Sequence, residues 1–212
     1  MGTDIHGVWQ KKVADKWEDI SSNYEQERHY QLFAVLAGVR NGYGFAGVPT
    51  GETVSPISEP RGLPEDFLLV GVDTHPILSL DILDPRRRKW QALDKPLEIW
   101  MGDHSYSWLT GEEMLSWCPT APTVTKCGVI SREEYESWGK VSSPREYCGG
   151  ISGRGIVVIE DNEVAKSTAP NWTHIRVYWK ASLRDELTYF FEEVKKLTEL
   201  HGEIRFVFGF DS

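Results

Sequence analysis

The chain contains no apolar run approaching the ~20 residues needed to cross a bilayer. Its opening Met1-Gly2-Thr3-Asp4 has neither the basic stretch nor the apolar stretch of a secretion signal. A membrane partner or an exported protein is therefore not expected. Cysteine is scarce: Cys118, Cys127 and Cys148 form no C-x-x-C pair, and one is left over from any pairing. A reduced, cytoplasmic protein fits that pattern better than a disulfide framework. Positive charge is also short, with 23 Lys and Arg against 32 Asp and Glu and a net charge of −9. This argues against a protein that coats long nucleic acid, where phosphate neutralisation dominates affinity. It leaves room for a small anionic ligand in a local basic pocket. The sequence also lacks a G-x-S-x-G elbow, H-E-x-x-H, a Walker motif, a dinucleotide-binding fingerprint and a cysteine-rich zinc pattern. Any catalysis must rest on His, Asp and Arg assembled from distant segments.

What is present suits a folded domain. The chain has 212 residues, 40% hydrophobic and 26% charged, enough for one large domain (1–212) with a substantial core. Nine Trp, eight Tyr and eight Phe make it rich in rings. Rings can form a stacking platform for nucleobases, worth about 1–3 kcal/mol per base, but filling a core is their commoner use.

Hydrophobic periodicity outlines an α/β fold, with an α+β arrangement left open: one mixed sheet flanked by helices, ending in a βαβ unit. Residues 3–9 alternate as a strand, with Thr3, Ile5, Gly7 and Trp9 on one face and Asp4, His6 and Val8 on the other. Asp15 to Asp19 reads as a turn and a short return. From about Glu27 to Arg40, Leu32, Val35, Leu36 and Val39 recur at helical spacing, and Asn41-Gly42-Tyr43-Gly44 is expected to stop the helix. Residues 41–64 hold five glycines and four prolines without a sustained period, as in a lid or pocket wall. Asp84-Pro85-Arg86-Arg87-Arg88-Lys89 is a basic cluster, more simply a solvated turn. A strand is expected at Leu97 to Met101, and Thr110-x-x-Glu113 and Ser131-x-x-Glu134 match capping boxes. Ile156–Ile159 reads as a buried strand, and Thr173 to Trp179 alternates as a strand. Ser182 should cap a helix whose stripe is Leu183, Leu187, Phe190, Val194, Leu197 and Leu200, with Gly202 ending it and a strand over Glu203 to Phe210.

Three groups of residues could carry chemistry. Asp4 and His6 are two apart on a strand and share a face, the arrangement needed to place an acid beside a base or to bind a metal. A polar, half-exposed strand is the plainer alternative. Gly102 to Trp108 crowds Asp103, His104, Ser105, Tyr106 and Ser107 between a strand and a helix start. His104 could serve there as a general base, a metal ligand or a donor to phosphate, while Ser105 and Trp108 could touch a ligand; Ser105 and Ser107 are equally turn and cap residues, their commoner use. Around the first helix stand Arg28, His29, Tyr30, Arg40 and Asn41. Arg28 and Arg61 are suited to gripping an anionic group, since a guanidinium holds two oxygens at once. Asp211 would add a carboxylate if the last strand ends beside the first, completing an Asp4, His6 and Asp211 set able to take a divalent metal. His75, His174 and His201 have no partners in sequence.

The blocks Met1-Gly-Thr-Asp-Ile-His6, Arg28-His-Tyr-Gln-Leu-Phe-Ala-Val-Leu-Ala-Gly-Val-Arg-Asn41, Glu59-Pro-Arg-Gly-Leu-Pro64, Asp103-His-Ser-Tyr-Ser-Trp-Leu-Thr110 and Phe206-Val-Phe-Gly-Phe-Asp-Ser212 run nearly end to end. In these blocks the chain resembles a family of proteins from bacteriophages and prophage regions. Two positions depart from that family's pattern: Thr3 stands where Cys is frequent, and Tyr106 where a second His is frequent. Without that His an H-x-H metal pair on His104 is not available. The resemblance implies an accessory role in the host cytoplasm, with host defence as one target. Hydrolysis of a phosphodiester in a small nucleotide-like ligand by Asp4, His6, Asp103 and His104 is one reading. Non-catalytic sequestration of a nucleotide signal is the other, and an acidic interaction surface ranks third. Oligomeric state is open, with exposed aromatics compatible with a homo-oligomer.

Overall fold

The computed structural model describes residues 2–20, 24–26, 28–44, 47–67, 101–161 and 171–211. Two sheets organise the chain. The larger runs β2 (Lys16–Asp19), β1 (Asp4–Val13), β8 (Ile204–Asp211), β4 (His104–Thr110), with β3 (Tyr24–Gln26) also paired to β1. All of its pairings are antiparallel. The smaller sheet runs β5 (Thr123–Ser131), β7 (His174–Ser182), β6 (Val158–Glu160), and is mixed, since β6 lies parallel to β7. The helices are α1 (Tyr30–Ala37), α2 (Gly111–Trp117), α3 (Arg132–Ser137), α4 (Leu183–Glu186) and α5 (Thr188–His201). No helix among the described residues is long and apolar enough to cross a membrane.

The α/β class read from periodicity is what the chain adopts, but the strands divide between two sheets. The C-terminal strand–helix–strand therefore is not a βαβ unit within one sheet: β7 belongs to the small sheet and β8 to the large one. Periodicity marks which face of a strand is buried, and it carries no information on which strand lies alongside. The connecting helix is also broken. Ser182 caps α4 by accepting from the Asp185 N–H as expected, and Leu187 then interrupts the helix before α5. Leu200, expected in the apolar stripe, is 69% exposed. The strand expected as buried at Ile156–Ile159 lies at the edge of the small sheet among the described residues, and Val157 and Val158 are exposed.

The main core lies on one face of the large sheet. Antiparallel register sets Ile5 opposite Phe210, Gly7 opposite Phe208 and Trp9 opposite Phe206. The ring of Trp9 stacks on Phe206 at 4.4 Å, and Phe33 of α1 meets Phe210 edge-on at 5.1 Å. Helices α1 and α5 cover this row with Leu32, Phe33, Leu36, Phe190 and Val194. These rings fill a core. The opposite face buries Val8, Val207, Tyr106, Met101 and Phe67 in a smaller cluster.

Helix α1 is shorter than its sequence pattern. It begins at Tyr30, and it stops at Gly38, whose φ of 70° is the left-handed cap conformation. Asn41, instead of ending the helix, braces the following segment. Its side chain donates to the Val54 carbonyl at 2.7 Å and accepts the Val54 N–H at 2.8 Å. Residues 47–62 form an ordered wall. Cys127 donates its N–H to Thr50 at 2.9 Å, Ile57 to Val35 at 2.8 Å, and Gly62 to Tyr106 at 2.8 Å. The wall thereby reaches β5, α1 and β4. Phe45, the basic cluster at 84–89, His75 and the strand expected at 97–100 lie outside the described residues.

Two glycines separate a conformational from a packing constraint. A Cβ on Gly38 would meet nothing within 4 Å, whereas one on Gly209 would lie 2.1 Å from the Met101 carbonyl oxygen. Gly38→Ala should cost about 1 kcal/mol through its left-handed backbone, and Gly209→Ala about 3 kcal/mol or more through overpacking. Urea midpoints that rank the two the other way would contradict this packing.

Candidate functional site

The register of the first and last strands brings Asp4 opposite Asp211 and His6 opposite Gly209. Alternation turns Asp4, His6 and Asp211 away from the Phe210 row and onto the other face. The Asp4 N–H donates to Asp211 Oδ1 at 3.1 Å, and His6 Nε2 stands 3.1 Å from Asp211 Oδ2. A carboxylate can only accept, so the tautomer that makes this contact a hydrogen bond has its proton on Nε2 and leaves Nδ1 as the basic atom. The His6 side chain keeps 18% exposure. Arg28 adds a fourth group. Its Nε and Nη2 donate to the two Asp4 oxygens at 2.7 and 3.0 Å. A Cβ on residue 2 would lie 2.2 Å from Arg28 Nη1, so Gly2 makes room for the guanidinium. Hydrogen bonding from Arg28 holds the Asp4 carboxyl below its usual range, and the same bond raises Arg28.

Strand β4 starts beside this cluster, on the far side of β8. His104 pairs with Phe210, and its ring stacks on the Phe210 ring at 6.1 Å. It therefore shares the sheet end with His6 but lies on the opposite face. Asp4 and His6 therefore do not meet His104 at one point; the two groups straddle the sheet. Asp103 is exposed and donates its N–H to the Phe210 carbonyl at 2.7 Å. Between His104 and Ser107 the register shifts, Ser105 takes a φ of 51°, and its Oγ lies 3.0 Å from His104 Nδ1. Tyr106, whose place a second histidine would need for an H-x-H pair, is buried and donates to the Gly102 carbonyl at 2.8 Å.

The second arginine suited to anions is taken up internally. Arg61 forms a two-point contact with Glu113, donates to Ser58 Oγ at 2.9 Å and lies over the Trp108 ring at 4.9 Å. Arg61 thus latches the 47–62 wall to α2, whose capping box Thr110 and Glu113 complete. Its hydrogen bond is the first cause of a Glu113 carboxyl held below the ordinary value. Tyr30, Arg40 and Asn41 come together along a small cleft that Val54, Lys126 and Leu183 also line. The Tyr30 hydroxyl there is buried without a hydrogen-bond partner among the described residues. Arg40 donates to Thr3 Oγ1 at 2.8 Å, which joins the cleft to the residue before Asp4.

Two ionic contacts of buried cations gave no sequence signal. Lys126 pairs with Glu186 at 2.9 Å, and Arg205 binds Gln10 and Asp66, each at 2.8 Å. Their partners lie 60, 195 and 139 residues away, far beyond any local pattern. For a metal, both Asp4 oxygens are engaged by Arg28, and no group of three His, Cys, Asp or Glu among the described residues could hold an ion. No family model, curated protein or solved structure matches the chain.

His29, an ambiguous residue in the sequence, caps α1: its Nδ1 accepts the Leu32 N–H at 3.3 Å, and its ring lies 5.7 Å from that of Tyr189. Burial lowers its pKa below the ordinary 6.5. The folded chain then binds fewer protons than the unfolded chain below about pH 6.5, so stability is full above that pH. It falls as pH drops and levels off below the lowered folded value. The Asp4 and Glu113 carboxyls, depressed from 3.8 and 4.5, contribute stability above those values and lose it as pH falls through the folded ones. Asn is a good N-cap. His29→Asn should therefore keep the neutral-pH stability and flatten the loss between about pH 7 and 5. Denaturation curves for variant and wild type that decline in parallel would exclude this role for His29.

Proposed function

We propose that the chain hydrolyses a phosphodiester in a small nucleotide-like ligand, with His6 as the proton-transfer residue and Asp211 as the group that positions it. The observation that carries this reading is the contact of His6 Nε2 with Asp211 at 3.1 Å, at a sheet end where the ring retains access to solvent. A carboxylate on one ring nitrogen fixes the tautomer and makes the other nitrogen a general base. His6 Nδ1 takes a proton from water, and the water oxygen attacks phosphorus. His6 then gives that proton to the departing alkoxide as the ester P–O bond breaks. Arg28, 47% exposed on Asp4, supplies the bidentate guanidinium that a phosphate needs, exchanging one pair of oxygens for another. Asp4 holds Arg28 ready in the absence of ligand. The net charge of −9 favours a small ligand over long nucleic acid. A phage accessory protein that degrades a nucleotide signal is the setting this activity would suit.

Sequestration without chemistry is the less favoured reading, because Arg61 and Asn41 are committed to internal contacts and many rings fill the core. The experiment incubates the protein with cyclic mono- and dinucleotides, denatures it and analyses what is released. Cleaved product is expected, with His6→Ala slower by about 10²–10⁴-fold and its melting temperature retained. Recovery of bound, intact nucleotide would instead establish sequestration, and no binding at all would overturn both.

A further inference from the structure

Among the described non-glycine residues, four have φ above zero: Ala14, Arg40, Ser105 and Lys140. Ala14 turns the chain between β1 and β2, Arg40 lies in the turns after α1, and Lys140 lies in the bend after α3. Ser105 alone of these lies inside a strand, where extended backbone is the rule. A bulge residue with left-handed backbone is ordinarily glycine, because a Cβ is strained there. The serine has a geometric consequence. In a regular strand neighbouring side chains point to opposite faces. At this register shift the left-handed turn brings Ser105 Oγ back to 3.0 Å from the ring of the preceding residue, His104.

The ring it meets stacks on buried Phe210 at 6.1 Å, and both His104 and Ser105 are half-buried. A hydroxyl in hydrogen-bond reach of an imidazole that is held by packing is the arrangement of an activated nucleophile. Strained backbone clusters where a side chain must be presented in one orientation.

We infer that Ser105 is a nucleophilic serine activated by His104, and that it accepts a phosphoryl group from a small phosphate ester. The His6 and Asp211 pair lies on the other face of the sheet, so this is a separate chemical centre. In the tautomer with its proton on Nε2, His104 Nδ1 takes the Ser105 hydroxyl proton. The Oγ–P bond forms and the ester P–O bond breaks. His104 returns the proton to the departing alkoxide, and water later releases the phosphoryl group from the serine. The choice of a phosphate ester rests on the proposed phosphodiester chemistry; the nucleophilicity of Ser105 does not.

The test uses a fluorophosphonate probe on the intact protein, in which fluoride leaves as the Ser105 Oγ–P bond forms. Mass spectrometry of the digest should find the adduct on the peptide carrying Ser105 and lose it in Ser105→Ala. His104→Ala should label at least about 10²-fold more slowly. Ser105→Gly should remain unlabelled yet melt at a higher temperature than wild type, since glycine relieves the left-handed backbone. A folded wild type that stays unlabelled at Ser105 would overturn the inference, as would labelling indifferent to His104. Labelling without any cleavage of nucleotides would keep the nucleophile and remove the hydrolysis reading, so the two fail separately.

Discussion

The pairing of β1 with β8 is the constraint on which the rest depends. Eight residue pairs run from Asp4 opposite Asp211 to Lys11 opposite Ile204, joining segments some 200 positions apart. Magnitudes show what sets this register. Burying a Phe-sized side chain is worth about 1.5–3 kcal/mol, and the Ile5, Trp9, Phe206, Phe208 and Phe210 row buries five large residues. An exposed ion pair such as Asp4 with Arg28 contributes about 0–1 kcal/mol. The apolar row therefore selects the alignment and the charged groups follow it. A slip of one residue would turn that row outward, and it would also part His6 from Asp211.

This division of labour explains which features could be read from the sequence. Alternation identified β1 and β7, the end of the preceding helix at Gly202 marked the start of β8, and the Ser/Thr caps at Thr110, Ser131 and Ser182 all accept the expected N–H three residues on. Such features are local, and the chain carries them within a few residues. The possibility that the last strand ends beside the first was also visible, because Asp211 closes a strand as Asp4 opens one. Sheet membership was not visible. Nothing in the β7–α4–α5–β8 pattern distinguishes a return to the same sheet from a crossing to another. The face taken by His104 was hidden as well, since it depends on a bulge at a serine, a residue without glycine's marker for left-handed backbone.

The opening segment illustrates how structural and chemical roles overlap. Gly2 makes space for Arg28, Thr3 receives Arg40, Asp4 receives Arg28, Ile5 enters the core and His6 meets Asp211. Each residue has a partner from another part of the chain, so a run that reads as a motif is also the seam that joins β1 to α1 and β8. Loss of activity on replacing Asp4 or Arg28 would on its own be ambiguous between chemistry and packing. His6 and Asp211 are better probes, because the apolar row that selects the register lies on the other face of the sheet.

A double-mutant cycle on His6 and Asp211, read in the rate of phosphodiester cleavage by folded variants, tests the central claim most directly. Groups that act as one unit are strongly non-additive. If Asp211 works through His6, then in the His6→Ala background the further change Asp211→Asn should leave the residual rate unaltered. Losses that simply multiply in the double variant would show that the two residues act independently, and the account of a positioned proton-transfer pair would be wrong.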